Sequence, residues 1–140
     1  MIGALLRIPF QHVTERVHAA LDSAGFSDIS PAHFAVFQHL PPDGARQSVL
    51  AERAKMRKQS MGYLVRHLES CGYLERVADP DDKRAQLVRQ TARGREVERV
   101  ARRAIAGVEH EWLELLGPVR FSVFRRTLET ISAHAEAREA

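Results

Sequence analysis

The most informative segment of the chain is residues 55–84, with the sequence KMRKQSMGYLVRHLESCGYLERVADPDDKR. Within it, apolar residues recur three and four positions apart over 58–70, and this spacing predicts an amphipathic helix. Gly72 is a typical residue just beyond a helix end. The opposite face of the predicted helix is polar and basic, and we expect Gly62 to lie on that face.

The positive charge of the chain is concentrated around this segment. The formal net charge is +3 for the whole chain, whereas residues 46–103 alone carry +7, with fifteen Lys and Arg against eight Asp and Glu. The flanks, 1–45 and 104–140, each carry a net charge of −2. A basic block between acidic flanks is typical of a module that binds the phosphates of a nucleic acid. A basic surface that is only solvated is the alternative.

Two short segments after the basic helix alternate polar and apolar residues. They cover 73–77 and 85–89, and period two predicts two strands of a hairpin. The tip between them is the turn 79–84, DPDDKR, whose Asp and Pro residues favour a turn. An arginine on such a tip can reach a groove of DNA; a plain solvated tip is the other interpretation.

Helical spacing also occurs on both sides of the central segment. Before it we expect helices at about 9–24, from Pro31 to Leu40, and at 48–54, the last two capped by Ser30 and Ser48. Pro9 either lies in the first turn of the first helix or kinks a helix that begins near Ile2. After it we expect a helix from a Thr91 cap to Leu116 and another at 119–137, separated by Gly117-Pro118.

The terminal helices have more apolar surface than a small central module needs to cover. Dimerisation is the economical explanation, and wrapping of a monomer is the alternative. A dimer would present two basic helices to half-sites about one turn of DNA apart, so the expected target is double-stranded DNA with an approximate palindrome.

Composition excludes several other classes. The length of 140 residues suits one unit, and no apolar run approaches the ~20 residues of a membrane span, so we expect a cytoplasmic protein with no membrane partner. The seven His residues form no recognised metal-ligand spacing, and no catalytic motif is present, so the sequence predicts no enzyme, no cofactor and no metal. Cys71 is the single cysteine, either a small structural residue or a redox sensor.

The chain resembles the MarR family of winged helix-turn-helix regulators. The resemblance runs over nearly the whole length and is most specific in 68–76 (LESCGYLER), 79–85 (DPDDKRA) and 90–94 (QTARG). It implies a mainly α fold with a small β-hairpin wing. The winged helix-turn-helix DNA-binding lobe would cover 30–90 of a single unit 1–140, with dimerisation helices at 1–24 and 92–140.

The resemblance also implies which residues contact DNA. On the recognition helix they are Arg57, Lys58, Gln59, Ser60, Tyr63 and Arg66, and on the wing Asp82, Lys83 and Arg84. Arg84 resembles the arginine that enters the minor groove, and Asp82 the acid that orients the wing. The chain departs from the family pattern at Arg57, where a small residue is usual, and at Gln90, where leucine is usual.

The resemblance implies a sequence-specific transcriptional regulator, and a homodimeric repressor is the preferred interpretation. Family members respond to small aromatic or phenolic ligands, to thiol oxidation or to metal. We favour a small-molecule effector near His12, His33 and Phe37, although these three also suit core or rim positions. The alternative is a winged-helix protein-interaction module without specific DNA binding.

Overall fold

The computed structural model describes residues 1–138, and these residues form six α-helices, one short 3-10 helix and one hairpin. In chain order they are α1 (Ile2–Ser23), the 3-10 helix (Pro31–His33), α2 (Phe34–His39), α3 (Gln47–Arg53), α4 (Lys58–Ser70), β1 (Leu74–Ala78), β2 (Gln86–Gln90), α5 (Ala92–Leu116) and α6 (Pro118–Ala137). Helices α3 and α4 followed by the hairpin make a winged helix-turn-helix, so the predicted fold class is confirmed. No helix in the described part is long and apolar enough to cross a membrane.

The chain forms two compact units that meet in sequence between Ala104 and Ile105, within α5. The N-terminal unit contains the whole predicted DNA-binding lobe, 30–90. The predicted terminal dimerisation segments, 1–24 and 92–140, fall in both units, and the last two residues of the second segment lie outside the described residues.

The N-terminal unit has one hydrophobic core to which α1, the helix-turn-helix, the hairpin and the start of α5 all contribute. Each element presents apolar side chains at the spacing expected for one buried face. The fully buried side chains include Leu21, Val36, Leu50, Met61, Val65, Leu68, Tyr73, Val88 and Val97. Because α4 contributes three of them, its inner face is fixed against the core and its outer face is held in one orientation.

Two helix starts differ in detail from the sequence expectations. Helix α1 begins at Ile2, the earlier of the two starts considered, so Pro9 lies inside the helix and not in its first turn. Ser48 does not cap α3: it lies inside the helix, and Arg46 occupies the N-cap position. The reason is a β-bridge just before the helix: Ala45 pairs with Val88, with N···O distances of 3.0 and 2.8 Å. The chain stays extended through Arg46, and the helix begins at Gln47.

The hairpin has the predicted antiparallel pairing, with each strand starting one residue later than expected. Arg76 pairs with Val88, and Glu75 pairs with Arg89. Successive side chains of a strand point to opposite faces, so Arg76 lies on the face that contains the buried Val88. Glu75 and Arg89 lie on the other face, where Nη2 of Arg89 is 2.7 Å from Oε1 of Glu75.

Helix α5 starts against the first residues of the hairpin. Thr91 caps it as predicted, since its Oγ1 accepts a hydrogen bond from the Gly94 N–H at 3.1 Å, and it also donates to the Gly72 carbonyl at 2.6 Å. Gly94 packs directly on Tyr73: a Cβ at position 94 would lie 2.1 Å from the Tyr73 carbonyl oxygen. Only glycine allows the helix to come this close to the strand.

The C-terminal unit is the end of α5, a turn and α6. Gly117, with a φ of 76°, makes the turn, and Pro118 starts α6, as the Gly-Pro pair predicts. The rings of Trp112 and Phe124 meet edge to face, with centroids 6.0 Å apart. Much of the remaining apolar surface of this unit is exposed, including Leu115, Val119, Val123 and Ile131.

The Gly94 contact makes a stability prediction. Gly94→Ala places a methyl group against a backbone oxygen that cannot move aside, so we expect the free energy of unfolding to fall by about 2–3 kcal/mol in urea titrations. Gly3→Ala is the control, because Gly3 lies in α1 with nothing within 4 Å of the added Cβ. That change should be neutral or stabilising by up to about 1 kcal/mol. Equal stabilities of the two variants would contradict the contact.

Candidate nucleic-acid interface

The outer face of α4 carries the predicted contact residues together. All six of them are exposed: Arg57, Lys58, Gln59, Ser60, Tyr63 and Arg66. Arg57 is the N-cap residue, and it makes no side-chain capping hydrogen bond, so the first N–H groups of α4 lie at an open helix terminus. The positive end of the helix dipole and these donors favour an anion at this position.

The sequence pattern predicted that Gly62 lies on the exposed face of α4, and this prediction is wrong. Gly62 is buried between α4 and α3. A Cβ at this position would lie 2.9 Å from Nε2 of Gln47 and 3.3 Å from Nη1 of Arg66. A mid-helix glycine costs about 1 kcal/mol relative to alanine. Its effect here is to let two polar side chains from different helices meet over the surface of α4.

The tip of the wing is held by Asp82. Its Oδ1 accepts a hydrogen bond from the Arg84 backbone N–H at 3.0 Å and lies 3.4 Å from Nε of the same residue. The Arg84 side chain itself is 93% exposed, and Lys83 beside it is also exposed. Asp82 therefore shapes the backbone of the tip, while both cations extend into solvent.

Sequence reasoning missed the interaction that ties the wing to α3. Asp79 is buried, and its Oδ2 accepts hydrogen bonds from Nε and Nη2 of Arg46, each at 2.7 Å. Its Oδ1 accepts the Asp81 N–H at 2.9 Å. This backbone hydrogen bond, followed by the one from Arg46, lowers the pKa of Asp79. The Asp-Pro turn signalled the local bond, but nothing in the sequence marks a partner 33 residues away.

A polar cluster lies behind α4, at the end opposite its N-terminus. The imidazole rings of His33 and His67 stack at a centroid distance of 4.5 Å. Nδ1 of His33 accepts the Ser30 N–H at 2.9 Å, and Nε2 of His67 is 2.7 Å from the Asp28 carbonyl oxygen. These contacts join the loop before α2 to the last turns of α4.

Cys71 lies next to this cluster, half-buried, with its Sγ 3.8 Å from Nε2 of His67. Burial, and then the hydrogen bond to Asp28, raise the pKa of the Cys71 thiol. A raised pKa keeps the thiol protonated, and the thiolate is the reactive form. This environment favours the structural role of Cys71 over the redox-sensing one.

The three candidate effector residues lie in different surroundings. His12 is exposed on α1, whereas Phe37 is half-buried and packs against the core of the N-terminal unit. His33 is buried in the stack with His67. Across residues 1–138, no group of three or more His, Cys, Asp or Glu side chains could hold a metal ion.

The chain is a winged helix-turn-helix protein, because α3 and α4 are joined by a turn and followed by a hairpin. The second of these helices has an exposed basic face, and the hairpin has an exposed arginine. Residues 27–85 match the family model described as MarR family. The sequence matches no curated protein. The matched residues span the helix-turn-helix and most of the wing, so this lobe is similar to that of the MarR family.

Solved structures share this fold over nearly the full length of the chain. Tm0710 of Thermotoga maritima, a transcriptional regulator, is 25% identical, with 98% of this chain and 95% of that chain covered and a TM-score of 0.67. CouR of Rhodococcus jostii RHA1, solved with bound p-coumaroyl-CoA, is 25% identical, with coverages of 93% and 90% and a TM-score of 0.70. FabT of Streptococcus pneumoniae, solved with DNA, shares the fold at 20% identity, with coverages of 97% and 96% and a TM-score of 0.80.

The stacked histidines predict a pH dependence of stability. Burial, and then the neighbouring His67, lower the pKa of His33 below its ordinary value of 6.5. As the pH falls, the unfolded chain therefore binds a proton at His33 before the folded chain does. Stability that is present above pH 6.5 is then lost as the pH falls through the folded pKa.

We expect the parent to lose more unfolding free energy than His33→Asn between about pH 7.5 and about pH 5.5, measured by urea titration at each pH. Asparagine keeps an acceptor for the Ser30 N–H but does not titrate. His18→Asn, at an exposed position of α1, is the control and should follow the parent. Identical pH dependence in the parent and His33→Asn would show that protonation of His33 is not coupled to folding.

Proposed function

We propose that this protein is a homodimeric, sequence-specific DNA-binding repressor that a small aromatic or phenolic ligand releases from its operator. The observation that carries the proposal is the joint exposure of the basic face of α4 and of Arg84 at the wing tip. A helix of this kind reads base edges in the major groove, while an arginine on a wing suits the negative potential of a narrow minor groove.

The exposed residues of α4 would have different roles in DNA binding, according to their side-chain chemistry. Lys58 and Arg66 neutralise phosphates, while Gln59 and Ser60 donate to or accept from base edges. Next to Tyr63 lies an open groove of about 400 Å³ that is also lined by Met56 and Leu64. An apolar recess beside base-reading side chains suits the methyl group of thymine.

Exposed apolar side chains support the dimer. The first turns of α1 expose Ile2, Leu5, Leu6, Ile8 and Phe10, each by at least 50%. In the C-terminal unit, α6 has no buried residue. Exposed apolar surface of this kind marks a protein interface, and a second copy of the chain is the occupant that the proposed palindromic target requires.

The effector is proposed from chemistry and from one relative. CouR was solved with p-coumaroyl-CoA, whose acyl group is a phenol. His12, His33 and Phe37 stay the predicted positions for an aromatic effector of this chain. A ligand that contacted His33 would meet the stack with His67, which ties α4 to the loop before α2, and would thereby act on the recognition helix.

Selection of bound sequences from a random pool of double-stranded DNA tests the proposal. We expect an approximate palindrome whose half-sites are about one helical turn apart, because two copies of α4 would enter successive major grooves on one side of the duplex. Binding that is weak and enriches no motif would instead support the protein-interaction module.

The wing assignment has a separate test on the selected duplex. Arg84→Met should weaken binding by about tenfold or more, because the variant keeps the aliphatic stem and loses the charge in the groove. Arg89→Met is the matched control, an arginine of the same hairpin that is paired with Glu75, and its affinity should stay within about twofold of the parent. Equal affinity of Arg84→Met and the parent at the same salt concentration would refute the wing contact.

A further inference from the structure

A groove of about 560 Å³ lies between the wing and the start of α3. Its polar lining comes from two separate parts of the chain. The residues before and in the first turn of α3 are Arg46, Gln47 and Ser48, and those from the hairpin are Arg76, Lys83, Arg84 and Gln86. Of the described residues that line it, none is acidic. The groove therefore presents guanidinium, ammonium, amide and hydroxyl donors, which suits an anion.

Acidic residues outside the groove form ion pairs with two of its arginines. Arg46 uses Nε and Nη2 to bind Asp79, and Arg76 uses Nε to bind Glu69 at 3.2 Å and Nη2 to bind the Gln47 side-chain oxygen at 2.9 Å. The Nη1 group of each guanidinium lies outside these contacts. Because Nε and Nη2 of each guanidinium are already held, Nη1 is oriented before a ligand arrives. This lowers the entropy cost of binding.

The groove is continuous with the exposed face of α4. Gln47, which binds Arg76 through its side-chain oxygen, places its Nε2 beside Gly62. Nη1 of Arg66 lies beside the same glycine from the α4 side. A line of donors therefore runs from Arg66 across Gln47 to Arg76 and into the groove, on the side of the lobe that carries the recognition residues.

We infer that this groove seats a backbone phosphate of the bound DNA duplex, with Arg76 and Gln47 as its central donors. The inference rests on the proposed DNA-binding function and adds a contact from α3 and β1 to those of α4 and the wing tip. An arginine that enters the minor groove at the wing tip brings the neighbouring sugar-phosphate strand toward the base of the wing. The seated group is one phosphodiester, whose single charge suits a groove in which acids already balance part of the arginine charge.

The test compares two arginines of the same hairpin on opposite faces. Arg76→Met and Arg89→Met each remove one charge and one partner of a Glu, but only Arg76 lines the groove. Affinity for the selected duplex is measured over a series of salt concentrations. Arg76→Met should bind about tenfold more weakly at moderate salt, and the slope of log affinity against log salt should become shallower by about 0.9. Arg89→Met should keep the slope of the parent.

A second pair keeps both arginines and changes the acids. Glu69→Gln keeps a side-chain oxygen that can accept from Nε of Arg76, so the orientation is kept, and it removes only the carboxylate charge. It should strengthen duplex binding by about threefold or more, whereas Glu75→Gln, on the other face, should not. A purely structural role for the Arg76 pair predicts the reverse, since breaking it would then weaken binding. This pair decides the question even if thermal unfolding shows that Arg76→Met has lost its fold.

The outcomes separate the inference from the function on which it rests. If the parent binds no duplex, the proposed function fails and the groove inference falls with it. If the parent binds and Arg84→Met weakens binding, but Arg76→Met and Arg89→Met have the same salt slope, only the groove inference is overturned. It is also overturned if inorganic phosphate, exchanged for chloride at constant ionic strength, stabilises the parent but not Arg76→Met while the two bind duplex equally, because the groove would then hold free phosphate.

Discussion

Tyr73 connects the parts of the N-terminal unit on which the candidate interface depends. Its ring is fully buried, and its hydroxyl donates a hydrogen bond to Asp28, in the loop before α2. Its N–H bonds the Leu68 carbonyl at the end of α4, and its carbonyl accepts the Thr91 N–H at the start of α5. The Arg93 guanidinium lies 4.9 Å from its ring centroid. One residue thus joins α4, the wing and α5.

This junction fixes the angle between α4 and the wing. Only three residues separate the last residue of α4 from the first of β1, and their hydrogen bonds to the helix end leave the strand one direction in which to start. Burial of Tyr73, and then its hydrogen bond to Asp28, raise the pKa of the phenol, so it remains a donor across the physiological range. At the far end of the hairpin, Arg46 and Asp79 fix the wing a second time. A wing held at both ends presents Arg84 at a defined distance from the face of α4.

Local patterns in the sequence predicted the helices, the hairpin and the exposed face of α4, because each depends on spacing within a short segment. What they missed depends on contacts between distant segments. The Ala45–Val88 bridge places the start of α3 at a different residue from the one predicted. Gly62 lies in a contact between two helices, and Asp79 forms an ion pair with Arg46. Each contact joins residues that are far apart in the chain, and such a contact produces no periodic pattern in the sequence. Sequence therefore located the two contact elements but not the interactions that orient them.

The acids of the candidate interface illustrate why a charge count is an incomplete guide to DNA binding. An isolated carboxylate near a phosphate would repel it, but Asp79, Asp82 and Glu69 each lie within 4 Å of an arginine nitrogen. The field of a close ion pair falls off faster than that of a single charge, so a paired acid opposes phosphate binding less than an unpaired acid would. Lys58 and Arg66 form no salt bridge with an acid among the contacts given above, so in the proposed complex cations of this kind would supply most of the attraction. The paired acids would orient the arginines of the proposed interface, which distinguishes it from a surface that is merely basic.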